Sequence, residues 1–257
     1  MLLHGFTGTS STWKDLADRL EKESFVIVPH LPGHGRSGFS TSKTKMSLES
    51  TSDSLVKLMD DLGVRKVALV GYSLGGRVAL NLALRHPERV DSLVIEGASP
   101  GIRSDFERKD RRLSDDALAD EMEVHDLAWF VDRWEKTPLL ATQRTVDKGT
   151  ARRLRQERMS NDKRGLAMSL RGAGSGRMRP LWGDLASLDV PVLVVVGEKD
   201  QKFREVAKSM ADLIPGGAVR VVKGSGHAAH LEKPKEFGEV VGAFLSAGKK
   251  APGRVSR

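Results

Sequence analysis

The 257-residue chain carries 42 Lys and Arg against 34 Asp and Glu and has no cysteine, a length that suits one large domain with an insertion rather than two independent cores. No apolar run approaches the roughly 20 residues that span a bilayer, which excludes an integral membrane protein. The lack of cysteine excludes disulfides, thiolate metal sites and a cysteine nucleophile, and fits a reducing cytoplasm. The start, Met1-Leu2-Leu3-His4-Gly5, shows neither the basic nor the apolar region of an export signal.

The first hundred residues alternate short apolar strands with amphipathic helices, the pattern of a parallel sheet covered on both faces. Strands are predicted at Phe25–Val28, Lys66–Val70 and Leu93–Ile95. A helix is expected from Leu48 to Leu62, where Leu48, Leu55, Leu58, Met59 and Leu62 share a face and Gly63 ends it. A second helix runs from Leu74 to Arg85 and stops at His86-Pro87. From about Gly101 to Pro180 there is no strand pattern, only helical runs rich in Arg, Asp and Leu and the glycine-rich Arg171–Gly176. The alternation resumes with a strand at Val192–Val196, a helix near Phe203–Leu213, a strand at Val219–Val222 and a closing helix from Pro234 to about Leu245. The expected organisation is therefore a strand-helix core over 1–100 and 181–247, with a helical cap over 101–180 at the strand ends, where open sheets bind ligands.

The net charge of +8 is unevenly placed. Residues 248–257 hold four bases and no acid, read as a disordered basic tail. Between Arg144 and Arg179 eleven bases face three acids, but few aromatics stand ready to stack bases. A small anionic partner is expected there, and no nucleic acid.

Gly71-Tyr72-Ser73-Leu74-Gly75 joins a buried strand to a helix without a linker. That context is what a nucleophile elbow requires, because small residues at both glycine positions let a strained turn lift the serine hydroxyl above the sheet. A hydroxyl is weak without a base, and Asp200 and His227 follow in the order Ser, Asp, His, each just after a predicted strand. Glu198 is the alternative acid. The Leu74 N–H, next after Ser73, is one expected oxyanion donor, and the Phe6 N–H in Leu3-His4-Gly5-Phe6 is the other. His30, His34, His86 and His125 lack metal-ligand spacing, and His227 with His230 lacks the intervening Glu of zinc signatures. Gly172–Gly176 is followed by no Lys-Ser and opens no helix after a strand. No metal and no cofactor are expected.

Several segments together carry a family resemblance: Leu3-His4-Gly5-Phe6, Leu31-Pro32-Gly33-His34-Gly35, the elbow through Arg77, Ser99-Pro100-Gly101-Ile102-Arg103, Gly197-Glu198-Lys199-Asp200-Gln201-Lys202-Phe203 and Gly226-His227 through Glu232. The chain resembles the 2-succinyl-6-hydroxy-2,4-cyclohexadiene-1-carboxylate synthases of menaquinone biosynthesis, on the α/β-hydrolase fold. The resemblance implies a lyase that releases pyruvate from a tricarboxylate, with Ser73 as base and Phe6 and Leu74 holding the oxyanion. It also implies that Arg77, Arg111 and Arg158 grip carboxylates and that Tyr72 and Trp134 line the pocket. An ester or carbon-carbon bond hydrolase is the alternative use of the same triad. Position 30 is His where such proteins have Asp before Leu-Pro-Gly-His-Gly, and a structural role is expected for it. Such proteins usually have roughly 15 to 20 residues before the Leu-His-Gly-Phe segment, so either the start is placed too late or the N-terminal strands are missing and a sheet edge is exposed.

Overall fold

The computed structural model describes residues 1–250, with side chains to residue 247. One five-stranded sheet runs in the order β1 (Leu2–Leu3), β2 (Val67–Tyr72), β3 (Val90–Glu96), β4 (Val192–Gly197) and β5 (Ala218–Val222), and every neighbouring pair is parallel. The helices are α1 (Lys14–Leu20), α2 (Leu48–Asp61), α3 (Leu74–Arg85), α4 (Asp105–Val124), α5 (Leu127–Glu135), α6 (Lys148–Met159), α7 (Lys163–Ala173), α8 (Gln201–Leu213), α9 (Ala229–Glu232) and α10 (Pro234–Lys250).

The strands read as unbroken apolar runs because both faces are covered. Alternate side chains Leu69, Leu93, Ile95, Val194 and Val196 join a core with Leu55 of α2, Leu80 of α3 and Met210 of α8. The intervening Val70, Val94, Leu193 and Val195 pack against Trp13, Leu16 of α1 and Phe237 and Val241 of α10. Burial of each such side chain contributes about 1.5–3 kcal/mol.

Two expectations are corrected. Phe25–Val28 is not a strand: it contributes one recorded ladder bond, from the Leu2 N–H to the Ile27 oxygen at 2.8 Å, and Phe25 is 75% exposed. Its β propensity is unrealised because β1 offers only two residues to pair with, and no strand lies outside it among the described residues. The closing helix also outruns its expected end near Leu245 and reaches Lys250, so the basic tail read from Gly248 begins inside α10. Residues 251–257 of that tail lie outside the described residues.

The chain leaves the sheet after β3 and returns at β4, and α4 to α7 fill the interval. Entry and exit are tied, since the Leu181 N–H donates to the Pro100 oxygen at 2.7 Å and the Trp182 indole to the Gly101 oxygen at 2.8 Å. The block has its own small core of Ala119, Met122, Phe130, Val131, Leu166 and Leu170, against which Phe6 and Trp134 pack. It meets the rest of the chain closely at Gly33, whose φ is +79° and where an added Cβ would lie 2.4 Å from the Gly165 oxygen.

Beneath the loop that follows β1, His4 and His34 are fully buried with ring centroids 5.0 Å apart. His4 donates from Nδ1 to the Gly5 oxygen and accepts at Nε2 from the Leu31 N–H, so its neutral form satisfies both partners. His30 does what a loop carboxylate would, accepting from the Arg36 N–H at 2.8 Å and meeting the Ser10 hydroxyl. Burial and the neighbouring His34 push the His4 pKa well down, and burial pushes that of His34 down to about 4. Unfolding must then add protons below pH 6.5, so the stability these rings supply is complete above that pH and is lost as pH falls toward 4. The His34 shift alone corresponds to about 3 kcal/mol. Thermal unfolding is expected at clearly lower temperature at pH 5 than at pH 7, and a flat midpoint across that range would contradict the account.

Candidate active site

Ser73 occupies the single residue between β2 and α3, at φ +50° and ψ −107°. A serine in that region carries strain of about 1–3 kcal/mol, which its surroundings must hold. They do so through the Ser73 N–H, which donates to the Glu96 oxygen of β3 at 2.8 Å, and the Ser73 oxygen, which accepts from Arg77 N–H at 3.1 Å. The turn also needs backbone in place of side chains. A Cβ at Gly75 would lie 2.1 Å from the Leu3 oxygen, and one at Gly71 would lie 2.4 Å from the Gly75 oxygen.

His227 follows β5, and Asp200 follows β4 at the same sheet edge. The His227 Nδ1 donates to Asp200 Oδ2 at 2.7 Å, which leaves Nε2 as the basic nitrogen. That Nε2 is buried without a hydrogen-bond partner, and His227 and Ser73 line one cleft. Asp200 does not line the cleft; it stands behind the imidazole, held through the Phe203 N–H at 3.4 Å. Glu198 is excluded as the partner of His227, because its Oε2 accepts instead from the Gly224 N–H at 2.9 Å.

Opposite the elbow, Gly5 to Gly8 form a tight turn closed by the Gly8 N–H on the Gly5 oxygen at 3.0 Å, with Thr7 at φ +68°. A positive φ at the third turn position is the type II arrangement, usually given to glycine. Phe6 and Leu74 both border the cleft, and neither amide has a recorded acceptor among the described residues. Two free donors beside one hydroxyl form an arrangement that can stabilise a developing oxyanion.

Tyr72, Arg77, Arg111, Trp134 and Arg158 complete the lining of the cleft. The three arginines differ. Arg111 is paired with Asp115 at 2.8 Å, and Arg158 with Glu135 at 2.9 Å and Gln143 at 2.6 Å. Among the described residues Arg77 has no ion pair and donates only to the Ala173 oxygen, at 2.6 Å, at the end of α7, with Asp115 acting on it only at longer range. Burial and the nearby Arg111 lower its pKa to about 10, so it stays charged at neutral pH. Among the described residues no group of three His, Cys, Asp or Glu could hold a metal ion.

A buried pair beside the elbow carries no motif in the sequence. His230 Nδ1 meets Glu96 Oε2 at 2.7 Å, both fully buried, and the ring lies 4.6 Å from that of Tyr72. Burial, with Glu96 adding to it, pushes the Tyr72 phenol well up, so it stays protonated. The visible signal was an acid ending an otherwise apolar strand and a second His three residues after the first. Gln143 and Glu135 carry no such signal.

Asp200→Asn, which removes the acceptor that orients His227, is expected to lower turnover roughly 10³- to 10⁴-fold with little change in KM. Glu198→Gln is expected to stay within about twofold, since the residue supports a loop and not the imidazole. Steady-state kinetics of the two variants decides between the acids.

The family described as alpha/beta hydrolase fold matches residues 1–234. Over 91% of this chain and 88% of its own length, a Salmonella heidelberg (strain SL476) protein named 2-succinyl-6-hydroxy-2,4-cyclohexadiene-1-carboxylate synthase is 31% identical. A Bacillus subtilis (strain 168) protein provisionally given the same name is 36% identical over 95% of this chain and 89% of its own. The solved structure of MenH from S. aureus superposes with a TM-score of 0.93 and 34% identity, covering 97% of this chain and 93% of that one. No helix among the described residues is long and apolar enough to cross a membrane. The chain is therefore an enzyme of the α/β-hydrolase family and belongs, within it, with the 2-succinyl-6-hydroxy-2,4-cyclohexadiene-1-carboxylate synthases.

Proposed function

We propose that the chain eliminates pyruvate from 2-succinyl-5-enolpyruvyl-6-hydroxy-3-cyclohexene-1-carboxylate, giving 2-succinyl-6-hydroxy-2,4-cyclohexadiene-1-carboxylate, in the menaquinone pathway of the cytoplasm. The observation that carries this reading is Arg77, a cation in the Ser73 cleft that pairs with no carboxylate among the described residues and shares the lining with Arg111 and Arg158. A half-buried charge with no acid within ion-pair distance is costly, and a carboxylate of the ligand would relieve it. A neutral ester would leave it unpaired. The substrate has three carboxylates, and Arg111 and Arg158, oriented by Asp115, Glu135 and Gln143, keep further donors for them. The helices over 101–180 act as the cap of the site, above a core of 1–100 and 181–247.

In this reading His227 Nε2 takes the Ser73 proton, and Ser73 Oγ takes the proton from the ring carbon beside the succinyl ketone. The electron pair forms an enolate whose oxygen is held by the Phe6 and Leu74 amides. Collapse of the enolate moves the pair through the ring double bond and breaks the carbon-oxygen bond to the enolpyruvyl group. The departing enolate takes a proton back from the triad and leaves as pyruvate, so no acyl-enzyme forms. Asp200 stabilises the imidazolium form of His227.

Incubation with the enolpyruvyl precursor, with pyruvate followed by a coupled dehydrogenase, tests the reading. Ser73→Ala is expected to abolish release. Arg77→Ala is expected to lower kcat/KM roughly 30- to 3,000-fold, the range for truncating one partner of a buried charged pair, mainly through KM. Arg77→Lys should recover part of that loss, because a point charge replaces a fork. A folded protein that releases no pyruvate and turns over simple esters would overturn the lyase reading in favour of a hydrolase.

A further inference from the structure

The loop that carries the Phe6 amide is held from above as well as from within. Helix α6 supplies Glu157, whose Oε1 accepts three bonds: from the Thr9 N–H at 2.6 Å, the Thr9 hydroxyl at 2.9 Å and the Thr12 hydroxyl at 2.5 Å. One turn on, buried Asn161 donates from Nδ2 to the Thr7 oxygen at 2.9 Å. The same side chain accepts at Oδ1 from the Gly35 N–H at 2.9 Å and closes back on the Glu157 and Arg158 oxygens. Thr7 is the residue with φ +68°, so Asn161 grips the carbonyl of a strained peptide that no glycine relaxes. Between these two residues on the same helix end lies Arg158, which lines the cleft.

We infer that Glu157 and Asn161 are positioning residues that make the oxyanion loop, Gly5 to Thr12, conditional on the seating of α6. Arg158 on the same turn then joins two events: engagement of a ligand carboxylate by the helix and alignment of the Phe6 donor. The functional side of this inference rests on the anionic-substrate reading above, whereas the positioning of the loop does not. Without the clamp, the strained turn relaxes and one of two donors leaves its place, while the cleft arginines remain.

The nature of the bonds supplies the test. Glu157 uses one oxygen purely as an acceptor, so Glu157→Gln keeps all three bonds and Glu157→Ala removes them. In the full chain, kcat for pyruvate release is expected to fall roughly 10- to 1,000-fold in Glu157→Ala, the upper end being loss of a whole oxyanion donor. KM should stay within about threefold and Glu157→Gln within about threefold of the parent throughout. Amide hydrogen exchange supplies a readout that needs no substrate. Residues 5–12 should exchange at least tenfold faster in Glu157→Ala and in Asn161→Ala and unchanged in Glu157→Gln, with α3 and β2 protected as before. Unchanged exchange and kcat in Glu157→Ala would overturn the inference. So would a Glu157→Gln variant as defective as the alanine, since charge and not acceptance would then matter. If the parent protein releases no pyruvate, the lyase reading fails and the exchange measurement alone decides the clamp.

Discussion

The strained backbone of Ser73 is the constraint on which the site depends. A serine at φ +50° persists only because β3 accepts its N–H and because the glycines on either side let Leu3 and the first turn of α3 press against the turn. The elbow thus requires β1, β2 and β3 to be paired in register, and the sheet in turn requires apolar residues on both faces of those strands. The chemistry is set by this chain of dependence. The hydroxyl stands at the edge where β4 and β5 deliver Asp200 and His227, and the Leu74 amide follows from the direction of α3.

Charge is the second organising influence, and it divides the basic residues of the helical block into two kinds. Several are neutralised locally, as Arg155 is by Asp132 and Glu135 and Arg171 by Asp120 and Glu123. Such exposed pairs contribute little to stability. The arginines of the cleft are held differently. Asp115, Glu135 and Gln143 orient Arg111 and Arg158, while Arg77 is held by a single carbonyl. Arg77, Arg111 and Arg158 line the same cleft as Ser73.

The helical block and the core meet through polar contacts of long sequence separation. Glu157 reaches Thr9 and Thr12, Asn161 reaches Thr7 and Gly35, and Glu232 after the last strand accepts from Thr142 and from the Gly226 N–H. Hydrogen bonds of this kind are directional and break together when one body moves, unlike the apolar contacts within each core. The His4 and His34 rings below the same loop add a condition of their own, since they fit only as neutral groups. The loop bearing Phe6 therefore depends on the block above it and on uncharged imidazoles below it.

Elements whose causes are local are legible in the chain. Period and turn residues were enough to place α3 at Leu74–Arg85 and to locate β4, and the elbow with its Ser, Asp, His order was readable because each residue sits directly after an apolar run. Whatever depends on a partner far along the chain is set by the fold. It left Phe25–Val28 out of the sheet because a strand needs neighbours, and it gave His227 to Asp200 and Gly224 to Glu198, which sequence order alone could not separate. Among the described residues it also left Arg77 without a paired carboxylate while Arg111 and Arg158 received theirs. Local propensity is written in neighbouring residues, whereas the partner of a charge or a hydrogen-bond donor is chosen by the fold.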